Sequence, residues 1–427
     1  MKTIRAITKQ DFALFICAVL LVALIYSKFA LSVCMISLVV ISIFNFDPAR
    51  KLPVFLNPSL GENVKRCYQN RSFLVVFLFF FLVLFSGIYS EDVSFWTERL
   101  RIKLPFLLLP FAFVSIPAFS KAQFQGLFYF LLLLMLFSTS MVGIHYWQHY
   151  EEINALLEKG QPMPTPMSHI RYSLLLAYTI VAGFLLFGQK FYLKYTWEPY
   201  LVLAISLFLF FFLHVLSVRS GLMVLYVCLF ILGLRYLYRS RNYRLVFAGL
   251  LLLGSLPFIA YQTMDSFKTR IDYARYDLKM YLEGNGQAYS DGDRWTSLKI
   301  GMEIAQENPI LGVGAGDLRQ VVKERYQANY PQVKDYKMPH SQFVSVLAGM
   351  GIIGLLVFLF AFFYPLFVHQ HYQNDLFLSL HIIVFLSFFV ENTIENAIGV
   401  AFYVFFLLLG LNFLEGQVED KKIGTSK

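Results

Sequence analysis

The stretch "KMPHSQFVSVLAGMGIIGLL", residues 337–356, sets Pro339 and His340 at the mouth of a long apolar run. A neutral imidazole accepts a proton near pH 7, so a histidine here is a candidate general base. Three arginines hold comparable places. Arg171 heads an apolar run, Arg219 sits in the tight turn "SVRSGL", and Arg294 opens the helical pattern "RWTSLKIGMEIAQENP". A guanidinium offers a planar fork of donors that matches phosphate oxygens two at a time. Near hydrocarbon, that charge is costly unless it is paired or snorkels to the interface. Each arginine therefore reads either as a phosphate ligand or as an interfacial, salt-bridged residue. His340 reads as a base or as a capping histidine in the first helical turn, where the macrodipole disfavours protonation. The short polar stretch "VENTIENAIG" carries Glu391, Asn392, Glu395 and Asn396 between two apolar runs. These groups suit sugar hydroxyls, charge balance with the arginines, or simple helix capping.

The elements that must position these residues are set by composition. Hydrophobic residues make up 58% of the 427, Phe alone numbers 46, and charged residues are only 15%. No soluble fold could hide that much apolar surface, so lipid is the solvent for most of the chain. The net charge of +9 then reads as membrane topology rather than nucleic-acid affinity. Cys17, Cys34, Cys67 and Cys228 show no paired spacing, which argues against a disulfide framework and against a zinc site. No metal cluster, P-loop or nucleophile elbow is legible. "GVGAGD" (Gly312, Gly314, Gly316, Asp317) lacks dinucleotide-binding spacing and a preceding strand, and reads as a turn. His145, His149, His169, His369 and His371 lie near segment ends and read as interfacial; His214 and His381 fall within apolar runs.

Twelve runs are candidates for crossing a bilayer, at about 12–27, 29–46, 72–89, 104–119, 124–147, 172–188, 200–217, 221–236, 245–261, 340–363, 376–390 and 397–414. The first is expected to be an uncleaved span. The fourth carries Pro105, Pro110 and Pro117, which predicts kinks or a shallow path, and "SEDVSFWTERLRIK" before it could lie flat in the interface. With the N-terminus cytoplasmic, inner segments hold 18 Lys/Arg against 7 in the short outer ones. That bias predicts cytoplasmic termini and an outward-facing segment 262–339. The segment balances 11 basic with 11 acidic residues and carries at least two helical patterns, "SFKTRIDYARYDLKMYL" and the one at Arg294. The expected fold is an all-α polytopic membrane protein with nine spans in 1–261, a partly helical outer loop over 262–339, three spans in 340–414 and a cytoplasmic tail 415–427.

The order of these motifs resembles the O-antigen ligase and polymerase superfamily of bacterial inner-membrane glycosyltransferases. Those motifs are Ser-x-Arg-Ser-Gly at 217–221, Arg-Trp at 294, "NPILGVGAGDL", "PHSQF" and "GMGIIGLL", covering about residues 200–410. The resemblance implies a GT-C-like fold. It also implies transfer of a glycan from undecaprenyl diphosphate, at the periplasmic face, to lipid A–core or to a growing glycan, without metal or other cofactor. By position, Arg219 and Arg294, with Arg171, would grip the diphosphate, and His340 would be the base. Asn commonly follows that histidine in the family; here Ser341 stands, able to make one hydrogen bond. Glu391, Asn392 and Glu395 would touch glycan or acceptor, or balance charge. A transporter or flippase of lipid-linked glycan is the reading from another class, disfavoured because polar interest gathers at one face rather than mid-membrane.

Overall fold

The computed structural model describes residues 8–46, 54–283, 290–331, 333 and 335–424. The topology markers Lys2, Arg5, Arg50, Lys51 and Lys427, the loop cation Lys334 and the core of the Gly/Asp-rich break at 284–289 lie outside the described residues. Each of the twelve apolar runs falls on a helix: Lys9–Tyr26, Lys28–Ile43, Arg71–Ser86, Val93–Ser115, Lys121–Gln148, His169–Gly188, Glu198–Leu216, Arg219–Ser240, Tyr243–Thr263, Gln342–Phe367, Asp375–Val390 and Ala397–Gly424. Exposed apolar side chains such as Phe15, Phe29, Phe247 and Phe258 coat the outside, as lipid contact requires. The chain is an all-α, multi-pass membrane protein.

The expected count of twelve spans is not confirmed. Among the described residues eight helices are long and apolar enough to cross a membrane, or nine if Leu60–Gln69 and Arg71–Ser86, bent by 82°, form one span. Lys28–Ile43 and Asp375–Val390 have 16 residues each. At 1.5 Å per residue they reach about 24 Å, short of a hydrocarbon layer of about 30 Å. Val93–Ser115 is long enough, but its first half holds Glu98, Arg99, Arg101 and Lys103. Nor is "SEDVSFWTERLRIK" a separate flat element. The Asp92 carboxylate accepts from the Phe95 N–H at 2.9 Å and starts a helix that runs unbroken through Pro105 and Pro110.

His169–Gly188 and Ala397–Val418 are the most enclosed helices and form the centre of the bundle. Between Tyr243–Thr263 and Gln342–Phe367 lie three further helices, Asp265–Leu282, Ser290–Glu307 and Leu318–Asn329. Two of them coincide with the patterns read from sequence. Ser290–Glu307 begins four residues before Arg294, so that arginine stands one turn inside its helix. Ile300, Ile304, Leu318, Val322 and Tyr326 pack into a small core against Ala348.

The glycines of "GMGIIGLL" fasten this segment to the bundle. Gly351 adopts φ 62, ψ −169 within Gln342–Phe367, a region of backbone space open essentially to glycine alone. The helical hydrogen-bond ladder is interrupted there, and the turn 309–314 supplies bonds on both sides of the break. Val313 and Gly314 donate to the carbonyls of Ala348 and Gly349 at 3.0 and 2.8 Å, while Ile352 donates to the Pro309 carbonyl at 2.9 Å and Ile353 to that of Ile310 at 3.4 Å. Two carbonyls before the break and two N–H groups after it are thus satisfied by the turn. Asp317 adds a second anchor, accepting from the Glu91 and Asp92 N–H groups at 2.9 and 2.7 Å. "GVGAGD" is therefore a docking turn. A Cβ on Gly351 would lie 2.1 Å from the Ile310 carbonyl oxygen. Gly351→Ala should cost at least about 1–3 kcal/mol, lowering the melting temperature in detergent and exposing segment 262–339 to protease. An unchanged melting temperature would show that the break is dispensable.

Candidate functional site

The cations read from sequence are brought to one end of the bundle by close helix crossings. Ser217 turns the chain with a left-handed φ of 54, its hydroxyl donating to the His214 carbonyl at 2.7 Å. Arg219 then opens the next helix. Two residues on, a Cβ at Gly221 would lie 2.4 Å from that of Ser173, so only a glycine lets this helix meet His169–Gly188 so near Arg171.

Glu391 is the hub. Its Oε1 accepts from Arg171 Nη2 at 3.3 Å, and its Oε2 lies 3.7 Å from His340 Nδ1. The carboxylate is only 11% exposed. Burial works against its ionisation, yet His340, Arg171 and Arg294 together hold its carboxyl below the ordinary 4.5. His169, the first residue of its helix, lies in electrostatic reach of Arg270, Arg294, Glu391 and Arg171. Arg219 is one step removed. It lines a mainly apolar cavity of about 210 Å³ with Arg270, Ser217, Tyr226 and Phe267.

His340 lies two residues before the first helical residue, with Ser341 as N-cap, and so stands outside the first turn in which sequence reasoning put it. Its N–H donates to Ser297 Oγ at 3.2 Å, which ties it to the helix of Arg294. Ser341 is buried, and its hydroxyl donates to the Phe388 carbonyl at 3.0 Å; its contact in this structure is with the protein backbone. Asn392 accepts from Ser345 Oγ at 2.9 Å.

Glu395 does not balance the three arginines. It pairs with Lys103 at 2.7 Å and accepts from Gln342 Nε2 at 2.7 Å, with Arg99 at 3.9 Å. Lys103, Arg99, Gln342, His169 and Arg270 are the residues that sequence reasoning missed. Only Lys103 left a signal, as an ionisable group directly before the apolar run 104–119. Beside this network opens a cavity of about 350 Å³, lined by Arg99, Arg171, Arg319, Asn392 and Glu395 among others. Chemically, the end of the bundle offers a histidine held near a carboxylate, fixed guanidiniums and an adjoining cleft: the means to bind an anion and take up a proton.

An O-antigen ligase domain occupies residues 201–359. The match spans less than half of the 427 residues and supports the resemblance read from the motifs, to O-antigen ligase- and polymerase-type glycosyltransferases. The match includes Arg219, Arg294, the docking turn and His340. Arg171, Glu391, Glu395 and Lys103 lie beyond it, so the groups meeting the domain's charges come from flanking helices. No curated protein matches the chain.

At the opposite end, where no metal cluster was expected, the fold gathers His369, His371 and Glu415. The first two are neighbours in sequence and the third is some forty residues away.

Proposed function

We propose that the protein is an inverting glycosyltransferase of the O-antigen ligase type. It takes a glycan from undecaprenyl diphosphate and joins it to a hydroxyl of lipid A–core, at the periplasmic face of the bacterial inner membrane, with both termini cytoplasmic. The observation carrying this reading is the His340–Glu391–Arg171 contact, with Arg294 in electrostatic reach. As the anomeric C–O bond breaks, negative charge grows on the leaving diphosphate, and prearranged guanidiniums stabilise it best where water is scarce. His340 takes the proton of the acceptor hydroxyl, whose oxygen attacks from the face opposite the diphosphate. The configuration inverts, and the free energy comes from the donor, with neither nucleotide nor metal in the step.

The test is purified protein with undecaprenyl-diphosphate glycan and two acceptors, lipid A–core and a second lipid-linked glycan, with products identified by mass. Glycosylated lipid A–core supports the ligase reading. Lengthened glycan alone would make the protein a polymerase, and no product with either would defeat the proposal. Labelling that placed residue 219 on the cytoplasmic side would also overturn it. In the same assay Arg219→Lys keeps the charge and loses the fork, so transfer should fall about tenfold or more. Full activity would exclude two-pronged phosphate recognition there.

A further inference from the structure

His371 is 3% exposed, and its Nδ1 lies 2.9 Å from the Pro365 carbonyl oxygen. A carbonyl only accepts, so Nδ1 carries a proton and Nε2 is the ring nitrogen left to ligate. That Nε2 is buried without a hydrogen-bond partner, 3.6 Å from Glu415 Oε1. A proton on Nε2 or a bound cation would each fill the gap between this nitrogen and the carboxylate. His369 Nδ1 closes on the same oxygen at 3.2 Å, and Ser72 Oγ donates to it. All three candidate donor atoms lie within 4.8 Å of one another.

From this geometry we infer a binding site for one divalent transition cation of the zinc class, held by His369, His371 and Glu415. Ligands about 2.0–2.2 Å from a tetrahedral zinc ion stand about 3.4 Å apart, and the two edges that run to Glu415 Oε1, 3.2 and 3.6 Å, bracket that spacing. The Nδ1–H bond to Pro365 is the kind of outer contact that fixes the tautomer and orientation of a ligating histidine. Imidazole and carboxylate together suit zinc better than magnesium or calcium. His369 and Glu415 also line a cavity of about 610 Å³ with Arg66, Asn70, Tyr364 and Asn412, from which water could complete the coordination. The ion would staple the connection Val368–Gln373 to the helix Ala397–Gly424, with Ser72 as a third point of attachment. Its part is structural, at the end away from His340, and it does not rest on the glycosyl-transfer reading.

The test uses the full chain in detergent, stripped with chelator and titrated with zinc chloride. Metal content, affinity and melting temperature are measured. One equivalent should bind and raise the melting temperature. His369→Gln alters a half-exposed side chain, so the variant should fold and lose about tenfold or more in zinc affinity. Glu415→Gln should do the same. Failure of the parent to bind an equivalent, or undiminished binding in a folded His369→Gln variant, overturns the site.

Discussion

Replacing His340 with alanine should slow glycan transfer by about 10²–10⁴-fold while the protein still inserts and folds. The backbone at this position is held independently of the imidazole, by the N–H bond to Ser297 and by the buried Ser341 that follows. The side chain, 27% exposed, fills little of the core, so its loss opens no large cavity. Its chemical value lies in the facing carboxylate. Glu391 at 3.7 Å from Nδ1 favours the tautomer with the proton on that nitrogen, which leaves Nε2 to receive the acceptor's proton. The distance is long for a hydrogen bond, as is common before substrate draws a catalytic pair together. Glu391→Gln should therefore cost less than the histidine change, since it removes the orienting charge and keeps the base. Initial rates at saturating acceptor decide both. Full activity in the His340 variant would remove this residue from the mechanism.

The fold was largely legible because hydropathy reports directly on lipid contact: each of the twelve apolar runs proved helical. Which of those helices span was less legible, since length depends on where caps fall and hydropathy averages over the charged first half of Val93–Ser115. The site was legible in one half only. His340, Arg171, Arg219 and Arg294 announce themselves as charges at the ends of apolar runs. Their partners do not, because pairing depends on how helices rotate against one another. Lys103 and Glu395 are 292 residues apart, and counting Lys103 as a topology marker concealed that it is buried. The same limit hid Glu415 beside His369 and His371. Gly351 could be quoted from sequence but not understood. Its function appears only when the turn at 309–314 supplies the hydrogen bonds that the broken helix lacks.

Glu395→Ala should destabilise the protein by about 3–5 kcal/mol, the usual consequence of removing one partner of a buried ion pair. Lys103 is 3% exposed, and its ammonium donates to Glu395 Oε1 at 2.7 Å and to the Ile394 carbonyl at 2.6 Å. Without the carboxylate, a buried positive charge keeps one neutral acceptor and cannot reach water. Gln342 suffers as well, because its Nε2 donates to the same carboxylate while its Oε1 accepts from the Ile394 N–H at 3.2 Å. The pair therefore joins three elements: Val93–Ser115, the start of Gln342–Phe367 and the turn carrying Glu391. Damage should reach the site through that turn, lowering transfer even in molecules that remain folded. Two accounts of the pair then separate cleanly. If charge burial is the cost, Lys103→Met combined with Glu395→Ala should be more stable than Glu395→Ala alone, since no unpaired charge remains. If the side chains act only as packing, the two losses should add. Melting temperatures of the parent, both single variants and the double variant in one detergent distinguish these outcomes, and a Glu395→Ala protein as stable as its parent would sink the argument.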